Sequence, residues 1–359
     1  MRELLMTIVG LIFAPEIAGI IVNIIMIVLN IAAVIAVGLL HVAYATYFER
    51  KVMARMQVRI GPREVGPLGL FQPFADGIKL FFKEDIIPQD ADKPLFYLAP
   101  VIFFVSALTS LSVLPFFDGF VIGNINIGLL FLFAMSSLGA YGIVLSGWSS
   151  NSKYAFLGGL RSASQVISYE ISMALSLVGV MMMAGSLNLS EIVRAQHHYP
   201  LGMFAVPQFL GFFVFIVSAF AETNRLPFDL PEAETELVAG YFTEYSGFRF
   251  AMFFLGEYTG MLVMSSIAAL CFLGGWSLPA FITASLPVIL AKALGLFWFL
   301  FKVYAFMFLY YWIRSTLPRY RYDQLMAIGW KLLIPLALVN IVVTGLAKMW
   351  FKGWFKGLL

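Results

Sequence analysis

The stretch IAGIIVNIIMIVLNIAAVIAVGLLHVAYATYF, residues 17–48, carries no aspartate, glutamate, lysine or arginine. About 20 mainly apolar residues in a helix cross a bilayer, so this run places the chain in a membrane. Leu95–Pro115, Ile127–Gly147, Gln165–Ala184, Gln208–Ala221, Phe248–Leu273, Leu286–Ile313 and Gly329–Trp350 repeat the pattern. Gln208–Ala221 is short and needs residues before or after it to span. The reading is an all-α polytopic bundle of about eight spans, with residues 1–359 forming one transmembrane domain. Composition agrees: 61% of the residues are hydrophobic and 12% charged. Soluble domains hold roughly 45–50% apolar and 25% charged residues, so water could not hydrate the surface of this chain. Met1–Pro15 sets Glu3 beside Arg2 and lacks a small-residue cleavage site. It is expected to be a retained interfacial lead-in rather than a signal peptide.

Redox and metal chemistry need ligands that the chain does not supply. Its single cysteine, Cys271, lies in an apolar run, and its histidines are His41, in the first span, and the adjacent His197 and His198. No disulfide, zinc site or iron–sulfur centre can be built from that set. A haem held between two spans would need a second intramembrane histidine. The chain therefore has no evident redox centre of its own.

Positive charge orients the spans. Loops after odd-numbered spans hold Arg50, Lys51, Arg55, Arg59, Arg63, Lys79, Lys83 and Lys93, then Lys153 and Arg161, then Arg225 and Arg249, then Arg314, Arg319, Arg321 and Lys331. Loops after even-numbered spans hold only Arg194. Segments of about 49–94, 148–164, 222–247 and 314–328 are thus expected on the cytoplasmic or matrix side, with both termini outside. Lys348, Lys352 and Lys356 run against this bias and are outweighed. Trp148, Trp276, Trp312, Trp330 and Trp350 fall near expected span ends, as an aromatic belt requires. No pair of matching Gly/Pro-broken spans marks an inverted-repeat transporter.

Three groups of residues carry candidate chemistry. In the first cytoplasmic loop, Lys51, Arg55 and Arg59 follow at i, i+4 and i+8, a basic stripe along one helix face. Gly61-Pro62, Gly66-Pro67 and Gly69 then force turns. After Pro73 a second amphipathic helix sets Phe74, Ile78, Phe81 and Phe82 opposite Asp76, Lys79 and Lys83. Anchoring on anionic lipid explains the amphipathicity, but not the fixed turn between the two helices. Two such helices can frame an opening through which a lipid-soluble molecule leaves the bilayer sideways.

The second group, Glu222, Asp229, Glu232, Glu234, Glu236 and Glu244, shares one short tract with a single arginine, Arg225. Pro231 can open a short helix with Glu232 and Glu236 on one face. Leu226, Phe228, Leu230, Leu237, Val238 and Phe242 interleave with the acids, which favours packing against protein over a solvated loop. The third group is Glu170, Glu257 and Lys302, inside spans. Each costs about 2.5–3.5 kcal/mol at mid-bilayer, so they form either interhelical salt bridges or a proton-conducting chain. Counted from the cytoplasmic ends at about 1.5 Å per residue, Glu170 lies less than two turns deep.

These residues resemble a known family. Tyr47-Phe-Glu-Arg-Lys51, the run from Arg59-Ile-Gly-Pro through Gly66-Pro-Leu-Gly-Leu-Phe-Gln-Pro-Phe-Ala-Asp-Gly-Ile-Lys79, and Ala221-Glu-Thr-Asn-Arg-Leu-Pro-Phe-Asp-Leu-Pro-Glu-Ala-Glu-Thr-Glu236 are similar to the H-subunit family of respiratory complex I, the NADH:quinone oxidoreductase. Glu244-Tyr-Ser-Gly247, Gly256-Glu-Tyr258 and Arg314-Ser-Thr-Leu-Pro-Arg-Tyr-Arg-Tyr-Asp-Gln-Leu-Met326 extend the likeness along nearly the whole chain. Glu64 stands where many relatives have asparagine.

The resemblance implies a membrane subunit that forms the quinone-access channel at the junction with a soluble arm and couples quinone reduction to proton translocation. Arg50, Arg59, Lys79 and Phe250 would lie along the quinone channel. Glu222, Asp229, Glu232, Glu234, Glu236, Glu170 and Glu257 would form an acidic funnel toward pump modules. Quinone would be the substrate, with flavin mononucleotide and iron–sulfur clusters in partner subunits and none bound by this chain alone. The implied partners are the soluble quinone-site and iron–sulfur subunits, membrane-arm pump subunits and lipid, not nucleic acid. The implied location is the cell inner membrane, or an organellar inner membrane. Related subunits of membrane-bound hydrogenases and formate hydrogenlyases are the nearest alternative, and a stand-alone ion transporter the remote one.

Overall fold

The computed structural model describes residues 15–197, 199, 202–230, 238–278 and 287–350. Helices are α1 Pro15–Met56, α2 Gln72–Phe82, α3 Lys93–Leu111, α4 Gly128–Ser149, α5 Lys153–Ala184, α6 Leu189–Gln196, α7 Phe209–Glu222, α8 Gly247–Phe272, α9 Val288–Thr316 and α10 Tyr322–Trp350. No strand occurs among the described residues. Among the described residues seven helices are long and apolar enough to cross a membrane, so the chain is a multi-pass membrane protein. The short run expected at Gln208–Ala221 is α7, whose 14 residues reach about 21 Å. A full crossing needs about 30 Å.

Burial ranks the helices. In the best apolar window of α8, 83% of residues are buried inside the protein, against 11% for α1. The centre is therefore α8, packed against α3 and α9, while α4 joins α3 to α5 and α5 carries α7 and α10. Helix α1 stands at the edge, in contact with α8 and α9. Side chains of Ile20, Ile24, Ile27, Val28 and Ile31 on its outward face are exposed, as lipid contact allows. Small residues let helices approach: a Cβ at Gly147 of α4 would stand 2.7 Å from the Ala155 carbonyl of α5.

Two expectations are corrected. Helix α5 begins at Lys153, so the loop expected over 148–164 shrinks to a short turn. Ser152 stands before the first turn in extended conformation, and Lys153 and Arg161 ride on the helix. Glu170 consequently sits near the middle of α5. Lys51 and Arg55 continue α1 itself, which ends at Met56. Val58 then adopts a left-handed backbone, so Arg59 lies off the helix. The basic stripe is thus the end of a span and not a separate interfacial helix.

The second amphipathic helix, α2, forms as expected, with Pro73 in its first turn and Phe74, Ile78, Phe81 and Phe82 exposed along one face. Gly69 explains the fixed turn before it: its φ is +83° and a Cβ there would lie 2.3 Å from the Pro62 carbonyl.

Candidate functional site

Two neighbouring residues near the end of α1 face opposite ways. Arg50 is directed outward and donates to Asp76 of α2 at 2.7 Å. With Arg59, Arg63 and the Ile60–Pro62 turn it lines a basic hollow of about 650 Å³. Arg59 also donates to Gln57, and Lys79 lies exposed on α2, one turn beyond Asp76. Helix α2 is fixed at its far end too. Phe81 packs on Phe248 of α8 with ring centroids 4.6 Å apart. Ser246 accepts from the Ile86 amide and donates to the Glu84 carbonyl, and Arg249 pairs with Asp85 at 3.0 Å. Helix α2 is thereby held against both α1 and α8, beside the hollow.

Phe250 is not part of the hollow. It packs against Phe242 and Phe254, beside a cluster in which Tyr245 stacks on Phe96 at 4.1 Å. Burial pushes the Tyr245 phenol up to about 12, so it acts there as a neutral hydroxyl against Ser149.

Glu49, the residue before Arg50, points inward and is 2% exposed. It accepts from Arg314 of α9, from Tyr258 of α8 at 2.6 Å and from Arg225 at 3.4 Å. Arg225, 5% exposed, also places Nε 2.5 Å from Glu257 and its guanidinium over the Tyr258 ring at 4.3 Å. Desolvating one charge costs several kcal/mol. The interlocking of Glu49, Arg225, Glu257 and Arg314 is what makes four such residues tolerable here.

Asp229 joins the edge of this group through Arg319 at 3.2 Å. Burial raises its carboxyl above the ordinary range, and the Arg319 cation pulls it back. The tract between is held by Gln165, whose amide donates to the carbonyls of Ala221 and Phe228, each at 2.8 Å.

A second set of acids meets in a cavity among α3, α4, α7 and α8. Glu222 and Glu257 both line it, with Ser106, Ser110 and Ser136. Water centres fit within about 80 Å³ of it, several times the ~10–15 Å³ that one water needs. Glu222 accepts from Ser136 at 2.5 Å, and its other oxygen is buried without a protein partner. Glu170, half-buried on α5, accepts from Ser137.

Among the expected residues, the structure brings together Glu222 and Glu257, with Glu170 one serine pair away. It sets Arg50 beside Arg59, leaves Lys79 on the adjoining helix and puts Phe250 in a separate cluster. Glu232, Glu234, Glu236 and Pro231 lie outside the described residues. The packed state expected of the acidic tract holds for Glu222 and Asp229, both buried. Around them Arg225, Arg314 and Arg319 offset Glu49, Glu257 and Asp229.

Sequence reasoning did not select Glu49, Tyr258, Arg314 or Arg319. Nothing in the sequence pairs them: 265 positions separate Glu49 from Arg314.

Lys302 stands apart from the acids. Its ammonium donates to the carbonyls of Leu273 and Gly275 at 2.6 and 2.8 Å, which caps the C-terminal end of α8. Gln196 caps the same end by donating to Leu270 and accepting from the Gly274 amide. Lys302→Met is expected to lower stability by about 1.5–3 kcal/mol, the worth of a charged hydrogen bond. Thermal inactivation in detergent measures it, and an unchanged midpoint would remove the capping role.

Comparison with known proteins follows the same residues. The NADH dehydrogenase family model matches residues 29–345. The chain is similar to an H subunit of NADH-quinone oxidoreductase, H 2, from Koribacter versatilis, 50% identical over 339 residues, 89% of this chain and 95% of the relative. It is similar to the NADH-quinone oxidoreductase H subunit of Paramagnetospirillum magneticum, 52% identical over 332 residues, 92% and 94% of the two chains. The protein of the same description in Rickettsia prowazekii is 53% identical over 319 residues, 88% and 92% of the two chains.

Proposed function

The chain belongs to the H-subunit family of NADH-quinone oxidoreductases, and from that premise we propose that it carries the quinone-access channel of such a complex and relays quinone reduction to buried acids. Its place is the inner membrane, multi-pass, with the basic loops toward the soluble arm. Flavin and iron–sulfur subunits deliver the electrons, and membrane-arm pump subunits receive the response. The chain holds no redox group in this scheme and supplies walls, charge and proton-binding groups.

One observation carries the reading. Arg50 lines the basic hollow and Glu49, the adjacent residue, anchors the buried charge network. Through Arg225 that network reaches Glu257, which shares its cavity with Glu222. A quinone headgroup taking up two electrons changes the charge beside Arg50. The field shift acts through Glu49 on Arg225, and so alters how firmly Glu257 is held as an anion. The exposed apolar face of α2 and the Phe81–Phe248 contact suit an isoprenoid tail leaving the bilayer sideways.

Purifying the tagged chain in mild detergent tests the assignment. Flavin and iron–sulfur subunits are expected to accompany it, and the preparation should reduce quinone with NADH. Recovery with hydrogenase subunits, or as a lone chain active in liposomes, would overturn it.

A further inference from the structure

We propose that Ser136 and Ser137 are positioning residues that bind Glu222 and Glu170 into one proton-holding pair across α4. The assignment rests on the coupling role proposed above and names two groups that role requires.

Most serines on these helices satisfy their own backbone. Ser106, Ser110, Ser146, Ser150, Ser164 and Ser168 all donate to a carbonyl three or four residues earlier, the ordinary state of a hydroxyl in an apolar helix. Ser136 and Ser137 depart from it. Ser136 donates to Glu222 of α7 at 2.5 Å, and Ser137 donates to Glu170 of α5. Successive side chains diverge by about 100° on a helix, so two consecutive serines can serve the helices on either side.

The two acids they hold differ in surroundings. Glu222 is buried, lines the cavity and has a second oxygen without a protein partner. Glu170 is half-buried and does not line that cavity. Both acids are bonded to consecutive residues of one helix, and in a low-dielectric interior neighbouring carboxylates repel if both are charged, so the pair favours one proton between them. A hydroxyl can donate to a carboxylate or accept from a protonated carboxyl. Rotation of the two hydroxyls therefore lets the proton reside on either acid without a bond being left unmade. Moving it changes no oxidation state: one O–H bond forms at the receiving carboxylate as another breaks at the donor.

The test is made on the whole complex in membranes, with Ser136→Ala, Ser137→Ala, the double alanine variant and Ser→Thr at both positions. Quinone-linked turnover is divided by the rate to an artificial acceptor, which corrects for assembly. The double alanine variant is expected to lose about tenfold or more in that ratio, the lower end of what one charge-assisted hydrogen bond is worth, and threonine is expected to restore it. Infrared difference spectra taken on reduction should show the protonated-carboxyl band displaced in the alanine variants and returned in the threonine ones. If the alanine pair does not assemble, cysteine at both positions keeps the volume and weakens the donor, and the same two readouts apply. A wild-type ratio with an unmoved band would overturn the serine assignment. Loss in Glu222→Gln but not in the serine variants removes this inference alone, whereas an active Glu222→Gln removes the coupling role beneath it.

Discussion

Arg225→Met is expected to destabilise the protein by about 3–5 kcal/mol, the cost of removing one partner from a buried ion pair. Methionine fills the volume but leaves Glu257 without the guanidinium now 2.5 Å away. Glu49 keeps Arg314 and Tyr258, so the defect concentrates at Glu257 and at the Tyr258 ring that Arg225 covers. Arg225→Lys restores charge but not the forked geometry that reaches two acids, and an intermediate loss is expected. Thermal dissociation of the purified complex measures both. Wild-type stability in the methionine variant would mean that the network is not what holds α1, α8 and α9 together.

The second large effect belongs to Glu222. Glu222→Gln keeps shape and can still accept from Ser136, so folding is expected to survive. The group can no longer gain or lose a proton. A fall of about a hundredfold or more in NADH:quinone turnover is expected, the lower end of the roughly 10²–10⁴ that a positioned acid or base contributes, with the rate to an artificial acceptor unchanged. Electron transfer upstream of the membrane does not use this carboxylate. Equal loss of both rates would instead mean failed assembly, and loss of neither would exclude Glu222 from coupling.

Much of this architecture is legible in the sequence because lipid constrains it so tightly. A charge-free run such as 17–48 has one stable outcome in a bilayer, a helix whose backbone groups bond internally. The amphipathic helix after Pro73 was legible for a similar reason, since its period and its proline both mark it. Boundaries fared worse. Lys153 and Arg161 read as loop charges, yet nothing in the sequence stops a helix from running on past the membrane surface, and α5 does so.

The site was half legible. Glu257 could be singled out because an acid in an apolar run is costly, and Glu222 because it opens the acid-rich tract. Their partners could not, because pairing depends on which helix ends meet in space. Glu49 and Arg314 are ordinary interfacial charges until α1 and α9 are packed side by side. Lys302 shows the opposite error: its cost was plain, but two backbone carbonyls rather than an acid offset it.

The central claim is that a quinone reaches the basic hollow beside Glu49 from the bilayer. A quinone analogue bearing a photoreactive group, applied to the intact complex in membranes, tests it most directly. Cross-links are expected within residues 50–83 and around Phe248 of this chain, suppressed by excess unlabelled quinone. Labelling confined to other chains, or labelling that excess quinone leaves unchanged, would contradict it.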